Sequence, residues 1–382
     1  MKQIPKIVLL LETSRSFGRQ ILSGVVKYSR FQGPWAFYKE PRDLESALPH
    51  LKNWKPDGII MRNTKSAMKL LDFKIPTILV LHDKEEGSGL PTVITNDESI
   101  GKTAAEHLVS RGFKNFGYCG FDSLPWSVRR CEFFSKYLNE RGFSPAVFRQ
   151  SNCSVNREWE KEQLYMAKWL KELPKPAGIM ACNDDRGQHV LEACKIAKMN
   201  VPDEVSVIGV DNDSLICDLC DPPLSSIALN AESAGYSAAE LLDKLMRRER
   251  TKKQNIIVTP THVVCRQSTD ILAVDDPEVV KAIRFIRQNA KSKILVSDVV
   301  EKTNLSRRSL EVRFKKIIHR SIKEEMRKLR TDLIEQMLIE TNLTIAEITA
   351  SYDFTDQEHI SRYFKKEKSV GLREFRKLYR RC

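Results

Sequence analysis

The chain has 382 residues, more than a single hydrophobic core usually serves, so we expect at least two domains. Its composition, 41% hydrophobic and 30% charged with only 16 Gly and 16 Pro, excludes disordered and collagen-like chains. The early apolar run from Ile7 to Leu11 is too short for a signal peptide, and no run approaches the roughly 18 apolar residues of a membrane-spanning helix. We therefore expect a cytoplasmic protein without membrane contact.

The net charge of +13 is unevenly distributed along the chain. Residues 276–382 contain 25 Lys and Arg against 16 Asp and Glu, a balance of +9, whereas residues 1–275 contain 38 against 34, a balance of +4. A positive excess concentrated in the last quarter is typical of a module that binds the phosphates of nucleic acid, although a solvated basic surface would also produce it.

The nine cysteines do not form the dense pattern of a disulfide framework. Cys217 and Cys220 have the spacing of a metal-binding pair, but no second pair and no nearby histidine pair complete a set of four ligands. We therefore expect no metal and no cofactor, and we identify no catalytic residue.

Short aliphatic and β-branched runs alternate with helical patterns over the first 270 residues. Such continuous apolar runs are typical of parallel strands that helices cover on both faces, and Ser99–Arg111 and Arg186–Lys198 are two candidate covering helices. The pattern predicts a doubly wound α/β fold. Its strands are expected at Lys6–Leu11, Asp57–Met61, Thr77–Leu81, Thr92–Thr95, Asn115–Cys119, Ala177–Ala181 and Val205–Val210.

Polar side chains follow several of these runs, at the carboxyl ends of the strands, where such sheets bind ligands. Carboxylates, amides and hydroxyls suit a polyhydroxylated ligand better than an apolar one, although each Asp or Asn could instead cap the next helix. No phosphate-binding glycine motif and no GxSxG elbow occurs, which counts against a nucleotide-dependent enzyme and a hydrolase. The polar positions are Glu12, Thr13, Ser14, Arg15, Asn96, Asp97, Asn183, Asp184, Asp185, Asp211, Asn212 and Asp213.

Several segments resemble the effector domain of LacI-type repressors, which is similar to periplasmic sugar-binding proteins. The resemblance covers nearly all of residues 4–270 and implies two lobes with the ligand between them. The first strand is predicted too near Met1 for that family's DNA-binding headpiece, so we expect the DNA reader to lie elsewhere in the chain. The resembling segments are Val201–Asn212, Pro223–Ser226, Gly235–Leu242, Thr95–Leu108 and Arg266–Thr269, the last as the closing strand.

Two similar helix-turn-helix patterns occupy the last hundred residues, about 50 positions apart. The second pattern starts at Leu343 and has Thr355 as its N-cap, and both patterns end in Phe-Lys-Lys. In the first pattern a helix starts at Val296 and is followed by a turn at Thr303–Leu305. Ser306 is the N-cap of a second helix, whose apolar residues are Leu310, Val312 and Phe314.

Ser321–Thr341 connects the two patterns and carries apolar residues at three- and four-residue steps, which predicts one continuous amphipathic helix. About twenty residues at about 1.5 Å each span roughly 30 Å, close to the roughly 34 Å turn of B-DNA. The second helix of each unit is therefore expected to enter one of two successive major grooves on the same face of the duplex.

Residues 277–380 resemble the DNA-binding domain of the AraC family. That family usually closes with a Gly-x-x-Pro-x-x-Tyr-Arg segment, for which this chain has Ser369, Leu372 and Phe375 at the three replaced positions, and Asp353 stands where a glycine is usual. These departures bear on the geometry of the second turn rather than on the existence of the second unit.

A LacI-like domain followed by an AraC-type reader resembles the xylose-responsive regulators, as does the stretch Arg19–Val25. The resemblance implies a sensing domain over residues 1–270, a linker over 271–276 and a DNA-binding domain over 277–382, with units at about 296–318 and 343–366. It further implies a homodimer on tandem half-sites of double-stranded DNA. A monosaccharide effector would alter the dimer geometry, and an activator would act through RNA polymerase on pentose-catabolic genes.

The same resemblance implies which side chains hold the effector. Arg129 and Arg130 are adjacent, so only one of them can face a cleft from a helix, and the family pattern selects Arg129. Trp126 or Trp159 would be a stacking face, with ordinary core packing as the alternative for each. The other expected ligands are Asp97, Asn183, Asp211, Ser14 and Arg19.

In the reader, the second helix of each unit supplies the candidates for base or phosphate contact. They are Arg307, Arg308, Ser309 and Arg313 in the first unit and Asp356, Gln357, His359 and Arg362 in the second. Phosphates or solvent are expected at Lys315, Lys316, Lys365 and Lys366, and core positions at Phe314, Ile360, Tyr363 and Phe364.

Two other functions are compatible with these patterns. One is a cytoplasmic sugar-processing enzyme with a basic C-terminal extension, for which no nucleophile–base pair is visible. The other is a transport-type binding protein, which would need an export signal.

Overall fold

The computed structural model describes residues 4–39, 54–62, 69–80, 89–149, 159–249, 255–270 and 276–379. Its strands are short, and those at the centre of each sheet are buried on both faces. They are β1 (Lys6–Leu10), β2 (Ala36–Lys39), β3 (Gly58–Arg62), β4 (Thr77–Val80), β5 (Thr92–Thr95), β6 (Asn115–Cys119), β7 (Ala146–Phe148), β8 (Ala177–Ala181), β9 (Val205–Val210), β10 (Ser225–Leu229), β11 (Asn255–Val258) and β12 (Pro260–Val264).

These strands form two six-stranded sheets. The first has the order β11-β5-β4-β3-β1-β2 and is parallel throughout. The second has the order β12-β10-β9-β8-β6-β7 and is parallel except for the antiparallel pair of β10 and β12. The chain passes from one sheet to the other after β5, β10 and β11, which produces two doubly wound lobes, as the sequence predicted.

Seven helices of the described chain cover the two sheets. In the first lobe α1 (Ser16–Gln32) packs against α7 (Ala231–Met246), which also contacts β3, β4 and β11. In the second lobe α2 packs against α3, and α4 packs against α5. These helices and the short α6 have the limits α2 (Asp97–Val109), α3 (Pro125–Asn139), α4 (Trp159–Glu172), α5 (Asp184–Ala197) and α6 (Ser214–Leu219).

The predicted strand limits hold best in the middle of each sheet. Strands β5, β6, β8 and β9 have the predicted limits, and β1 and β3 differ from them by one residue. Strand β4 ends at Val80, and Leu81 lies outside the described residues.

The closing strand expected at Arg266–Thr269 is wrong. β12 ends at Val264, and Gln267–Thr269 form a 3₁₀ turn. The buried Ser268 hydroxyl donates to the carbonyl of Val207 at 2.6 Å and accepts from the backbone N–H of Ser225 at 2.8 Å. A side chain therefore makes the connection to β9 and β10 that a strand's backbone would have made.

Seven helices follow in residues 276–379, and they have two separate cores. Met326 and Leu329 on the first half of α11 pack into one core, and Ile334 and Leu338 on its second half belong to the other. With 19 residues, α11 is about 29 Å long, as predicted. The helices are α8 (Pro277–Gln288), α9 (Val296–Glu301), α10 (Arg307–Ile318), α11 (Ile322–Glu340), α12 (Ile345–Ser351), α13 (Gln357–Lys368) and α14 (Leu372–Tyr379).

Residues 271–275 of the predicted linker lie outside the described ranges, and the described chain resumes at Asp276, the N-cap of α8. None of the described helices combines the length and the apolar character needed to cross a bilayer.

Helices α1 and α7 cross through two glycines. A Cβ atom at Gly235 would lie 2.1 Å from the carbonyl oxygen of Ile21, and one at Gly24 would lie 2.0 Å from that of Glu232. Backbone atoms cannot move aside as a flexible side chain does, so the helices must separate to admit a methyl group.

We predict that Gly235→Ala lowers the free energy of unfolding by about 2–3 kcal/mol, the upper part of the range for overpacking. Gly58→Ala is the matched control, because its new Cβ would meet only the side-chain ends of Leu242 and Met246, at 3.0 Å. All five tryptophans precede residue 170, so urea unfolding followed by tryptophan fluorescence reports on the α/β lobes. Equal losses in the two variants would contradict the helix-crossing explanation.

Candidate functional site

A cleft lies between the two lobes and is lined from both sides. Its empty space, including the part open to solvent, is about 560 Å³. Thr95 lines it where the chain leaves β5. The first lobe contributes Leu11, Glu12, Arg15, Phe17, Gly18, Arg62 and Val80, and the second contributes Trp126, Arg130, Asn183 and Asp211.

Three of the predicted ligand residues line this cleft: Trp126, Asn183 and Asp211. The Asn183 amide is both a cap and a cleft residue, because its oxygen accepts from the backbone N–H of Arg186 at 3.0 Å at the start of α5. Trp126 is buried, and the guanidinium of Arg130 lies 4.8 Å from its ring centroid. The cap and the ligand site, weighed as alternatives from the sequence, therefore coincide at Asn183.

The structure places Arg130, not Arg129, in the cleft. Nε of Arg129 and Nε of Arg130 lie 2.9 and 3.2 Å from the two carboxylate oxygens of Asp97. Arg130 is 3% exposed and also donates to the carbonyl of Cys182, whereas the Arg129 side chain is 28% exposed. Consecutive helix residues point about 100° apart, and packing of α3 turns Arg130 inward. Asp97 does not line the cleft but holds the arginine that does.

Three further candidates lie outside the cleft lining. The hydroxyl of Ser14 donates to the Glu12 carboxylate. Nη2 of Arg19 lies 2.6 Å from the carboxylate of Asp213. Trp159 is half exposed at the start of α4.

Nine lining residues were not among the predicted ligands, and Glu12, Arg15, Phe17 and Arg62 are four of them. Glu12 and Arg15 follow β1, where strand position alone had marked them. Arg62 is the last residue of β3, and its guanidinium lies 3.0 Å from the Glu12 carboxylate. The position of Arg62 at the end of a strand could have identified it as a cleft residue. No local sequence pattern distinguishes Phe17 from a core residue.

Asp211 supplies an acceptor that no group in the described part of the chain uses. Its Oδ1 atom is buried without a hydrogen-bond partner in the described chain. Burial raises the pKa of this carboxyl, and the nearby guanidinium of Arg130 partly opposes that rise. Asp211 and Asn212 have φ values of +98° and +46°, a conformation that Asp and Asn adopt more readily than most residues.

The turn that carries Asp211 is fixed by Asp184, which is buried at the start of α5. Its carboxylate accepts from the backbone N–H of Asp213 at 2.7 Å and from the hydroxyl of Ser226 at 2.5 Å. Burial and the charge of Asp211 both raise the pKa of Asp184 well above its usual range. The strained turn therefore has a buried support directly behind it.

Polar contacts also cross between the lobes at the rim of the cleft. Nε of Arg15 lies 2.7 Å from the carboxylate of Asp185, and Asp213 accepts from the backbone N–H of Ser16 at 2.9 Å as well as from Arg19. Arg15, Ser16 and Arg19 belong to the first lobe and the two aspartates to the second, so these contacts favour approach of the lobes.

The described residues include no group of three or more His, Cys, Asp or Glu side chains placed to hold a metal ion.

In the helical part, α10 and α13 each present one basic face to solvent. Ser306 caps α10, as predicted, by accepting from the backbone N–H of Ser309. Arg307 pairs with Glu311 along the helix, Arg308 is exposed, and Nη1 of Arg313 lies 3.2 Å from the carboxylate of Asp276. Arg313 is therefore directed toward the start of α8 rather than straight outward.

In α13 the N-cap is Asp356 and not Thr355, because the Asp356 carboxylate accepts from the backbone N–H of His359 at 2.7 Å. That bond lowers the pKa of Asp356. The His359 ring contacts the Thr355 hydroxyl and lies edge-on to Phe354, whereas Gln357 and Arg362 are exposed. Carboxylates repel phosphates, so Asp356 is placed here as a helix cap that supports the exposed side chains.

Comparisons with known proteins agree with both parts of this architecture. Residues 105–269 match a periplasmic binding protein-like domain, and residues 299–378 match a helix-turn-helix domain. The chain is 30% identical to the xylose operon regulatory protein of Escherichia coli (strain K12) over 380 residues, which are 97% of this chain and 96% of that protein. The protein of the same name from Haemophilus influenzae is 30% identical over 384 residues, 98% and 99% of the two chains.

A solved structure of a xylose-binding transcription activator aligns with this protein over 99% of both chains, with a TM-score of 0.64 and 28% sequence identity. The similarity therefore includes the order of the two parts and not only each part alone.

Asp211, whose Oδ1 atom is buried without a partner in the described chain, leads to a prediction about stability. Asp211→Asn should raise the free energy of unfolding of the ligand-free protein at neutral pH by about 1 kcal/mol, because the amide keeps the shape of the side chain and removes a charge whose burial costs more than the attraction of Arg130 returns. Because folding raises the pKa of Asp211, the wild-type penalty is absent below the unfolded value of 3.8, grows as the pH rises toward the folded pKa and is complete above it.

The measurement is urea unfolding of both proteins at several pH values. The gap between variant and wild type should narrow as the pH is lowered, and Asp203→Asn, at an exposed carboxylate, should change stability by less than about 0.5 kcal/mol. A variant less stable than the wild type at neutral pH would refute the explanation.

Proposed function

Because this chain belongs to the family of xylose operon regulatory proteins, it is a sugar-responsive DNA-binding transcription regulator, and we propose that its effector is a pentose of the xylose type. The observation that carries this proposal is the buried Oδ1 of Asp211, a cleft acceptor for which the described residues supply no donor. A sugar hydroxyl supplies that donor, and it can accept in turn from another group.

We propose that Asp211, Asn183 and Arg130 contact the sugar directly. Arg130 donates to sugar oxygens, and the carboxylate of Asp97 orients Arg130 and balances its buried charge. Trp126 supports the guanidinium of Arg130 from beneath rather than stacking on the sugar. Glu12 and Arg62 meet the sugar from the opposite lobe, and the contact of Arg19 with Asp213 holds the closed form.

We propose the predicted domain limits, a sensor over residues 1–270, a linker over 271–276 and a reader over 277–382. A ligand favours the closed cleft only by its greater affinity for that state, and in a homodimer closure changes the separation of the two readers. The protein would then occupy tandem half-sites in the cytoplasm and activate pentose-catabolic genes through RNA polymerase. The family membership and the basic reader support this scheme.

We propose that the cleft binds sugar without chemical turnover. The described lining contains no Ser, Cys or His nucleophile–base pair, and its two carboxylates belong to residues with other partners or roles: Glu12 lies beside Arg62, and Asp211 lies near Arg130. A turnover assay on the sugars used for binding separates this proposal from a sugar-processing enzyme.

The adjacent arginines of α3 give a matched test of the sugar site. Arg130→Gln should weaken pentose binding about ten- to hundred-fold, because charged hydrogen bonds to a buried ligand are worth roughly 1.5–3 kcal/mol. Arg129→Gln removes the same charge outside the cleft and should change the affinity less than about three-fold. Calorimetry with xylose, arabinose and ribose measures both, and circular dichroism confirms that the variants are folded. Similar losses in the two variants would contradict the assignment.

The second reading helix gives a test of DNA binding by the full chain. Arg362→Ala should weaken binding about ten- to hundred-fold and remove protection from one segment of the footprint, since an arginine on guanine is worth roughly 1–3 kcal/mol. Arg373→Ala removes an exposed charge on α14 and should leave the footprint unchanged. Wild-type affinity should fall steeply with salt, and the sugar should alter it. Binding that is independent of salt and sugar would exclude the proposed regulator.

A further inference from the structure

Val312 is an exposed apolar side chain at the centre of the outward face of α10. The core face of this helix is formed by Leu310, Phe314 and Ile318, each at most 5% exposed. Val312 is 63% exposed and belongs to no core cluster of the described chain. A β-branched residue on an exposed helix is also less favourable than alanine, so neither packing nor helix stability explains valine here.

The side chains around Val312 are cationic. Arg308 and Lys316, one turn before and after it, lie on the same face, and Lys315 lies beside it. All three are exposed, and none forms an ion pair within the described part of the chain. A single valine among unpaired cations is too small an apolar patch for a protein partner, whereas the surrounding charge fits the phosphates of a duplex.

The internal repeat relates this face of α10 to the corresponding face of α13. Val312 corresponds to Arg362, which is also exposed opposite a core face of Ile360 and Phe364. Lys315 and Lys316 likewise correspond to Lys365 and Lys366. The two units thus present different central side chains, one apolar and one cationic, from equivalent positions.

We propose that Val312 reads a thymine in the major groove by contact with its C5-methyl group. Among the base edges of the major groove, that methyl is the apolar feature, and the γ-methyl groups of a valine reach further toward it than the Cβ atom of an alanine. Arg308 and Lys316 then lie over the flanking phosphates or bases and hold the helix in register. The first unit is then specific for thymine at one position of its half-site. The second unit presents Arg362 to the base at the equivalent position of its own half-site. This inference rests on the DNA-binding function.

The test starts with the full-length protein and a random duplex library. Selection by the wild type should enrich thymine at one position of the half-site, and selection by Val312→Ala should lose that preference while keeping the rest of the site. Alanine is well tolerated at an exposed helical position, so this variant should fold and bind DNA.

The decisive measurement replaces each thymine of the selected duplex, one at a time, by deoxyuridine, which lacks only the C5-methyl group. At one position the wild type should lose affinity about four-fold, the effect of one methyl-sized apolar contact. Val312→Ala should bind the thymine and deoxyuridine duplexes equally and should match the wild type on deoxyuridine. Leu295→Ala, at another exposed apolar residue of the same unit, should keep the four-fold difference.

The outcomes separate this inference from the function on which it rests. If the wild type tolerates deoxyuridine everywhere, or if the loss persists in Val312→Ala, the methyl contact is refuted while DNA binding stands. If no duplex is enriched and binding does not depend on salt, both are refuted.

Discussion

The buried guanidinium of Arg130 is the group on which the sensing cleft depends. A charge removed from water must be balanced nearby, and here Asp97 and Asp211 provide the balance from two different strand ends while Trp126 covers one face. Asp97 follows β5, where the chain passes between the lobes, and Asp211 follows β9. Arg130 therefore connects Asp97, where the chain passes between the lobes, to Asp211 in the cleft lining. A ligand that contacts Arg130 or Asp211 changes this connection.

The second lobe is the one that carries the reader. Ser268 and Thr269 are fully buried against β9 and β10, so the chain leaves the sensor from a rigid anchor. Arg287 on α8 lies 3.1 Å from the carboxylate of Asp270. The helical DNA-binding part is thus connected to the second lobe. The contacts of Asp213 with Ser16 and Arg19 in turn set the position of the second lobe relative to the first.

Sequence patterns predicted the parts of the fold that burial determines and missed those that tertiary packing decides. Strands such as β8 and β9 are apolar throughout because both faces are covered, whereas the edge strands β2 and β7 are short and partly exposed, without a comparable signal. Asn183 and Asp211, which were selected because they follow strands, both line the cleft. No local pattern separates Arg129 from Arg130, because only the packing of α3 determines which of the two faces inward.

The two helix-turn-helix units share a pattern, but their reading helices are held differently. Tyr363 in α13 packs against α11, with its hydroxyl 3.3 Å from the carbonyl of Arg327. The equivalent residue in α10, Arg313, instead pairs with Asp276, whose carboxylate also caps α8. Asp276 is the last residue of the predicted linker. A displacement of Asp276 therefore acts on α8 and α10 together, whereas the second unit is connected to the sensor through α11, which contacts β12.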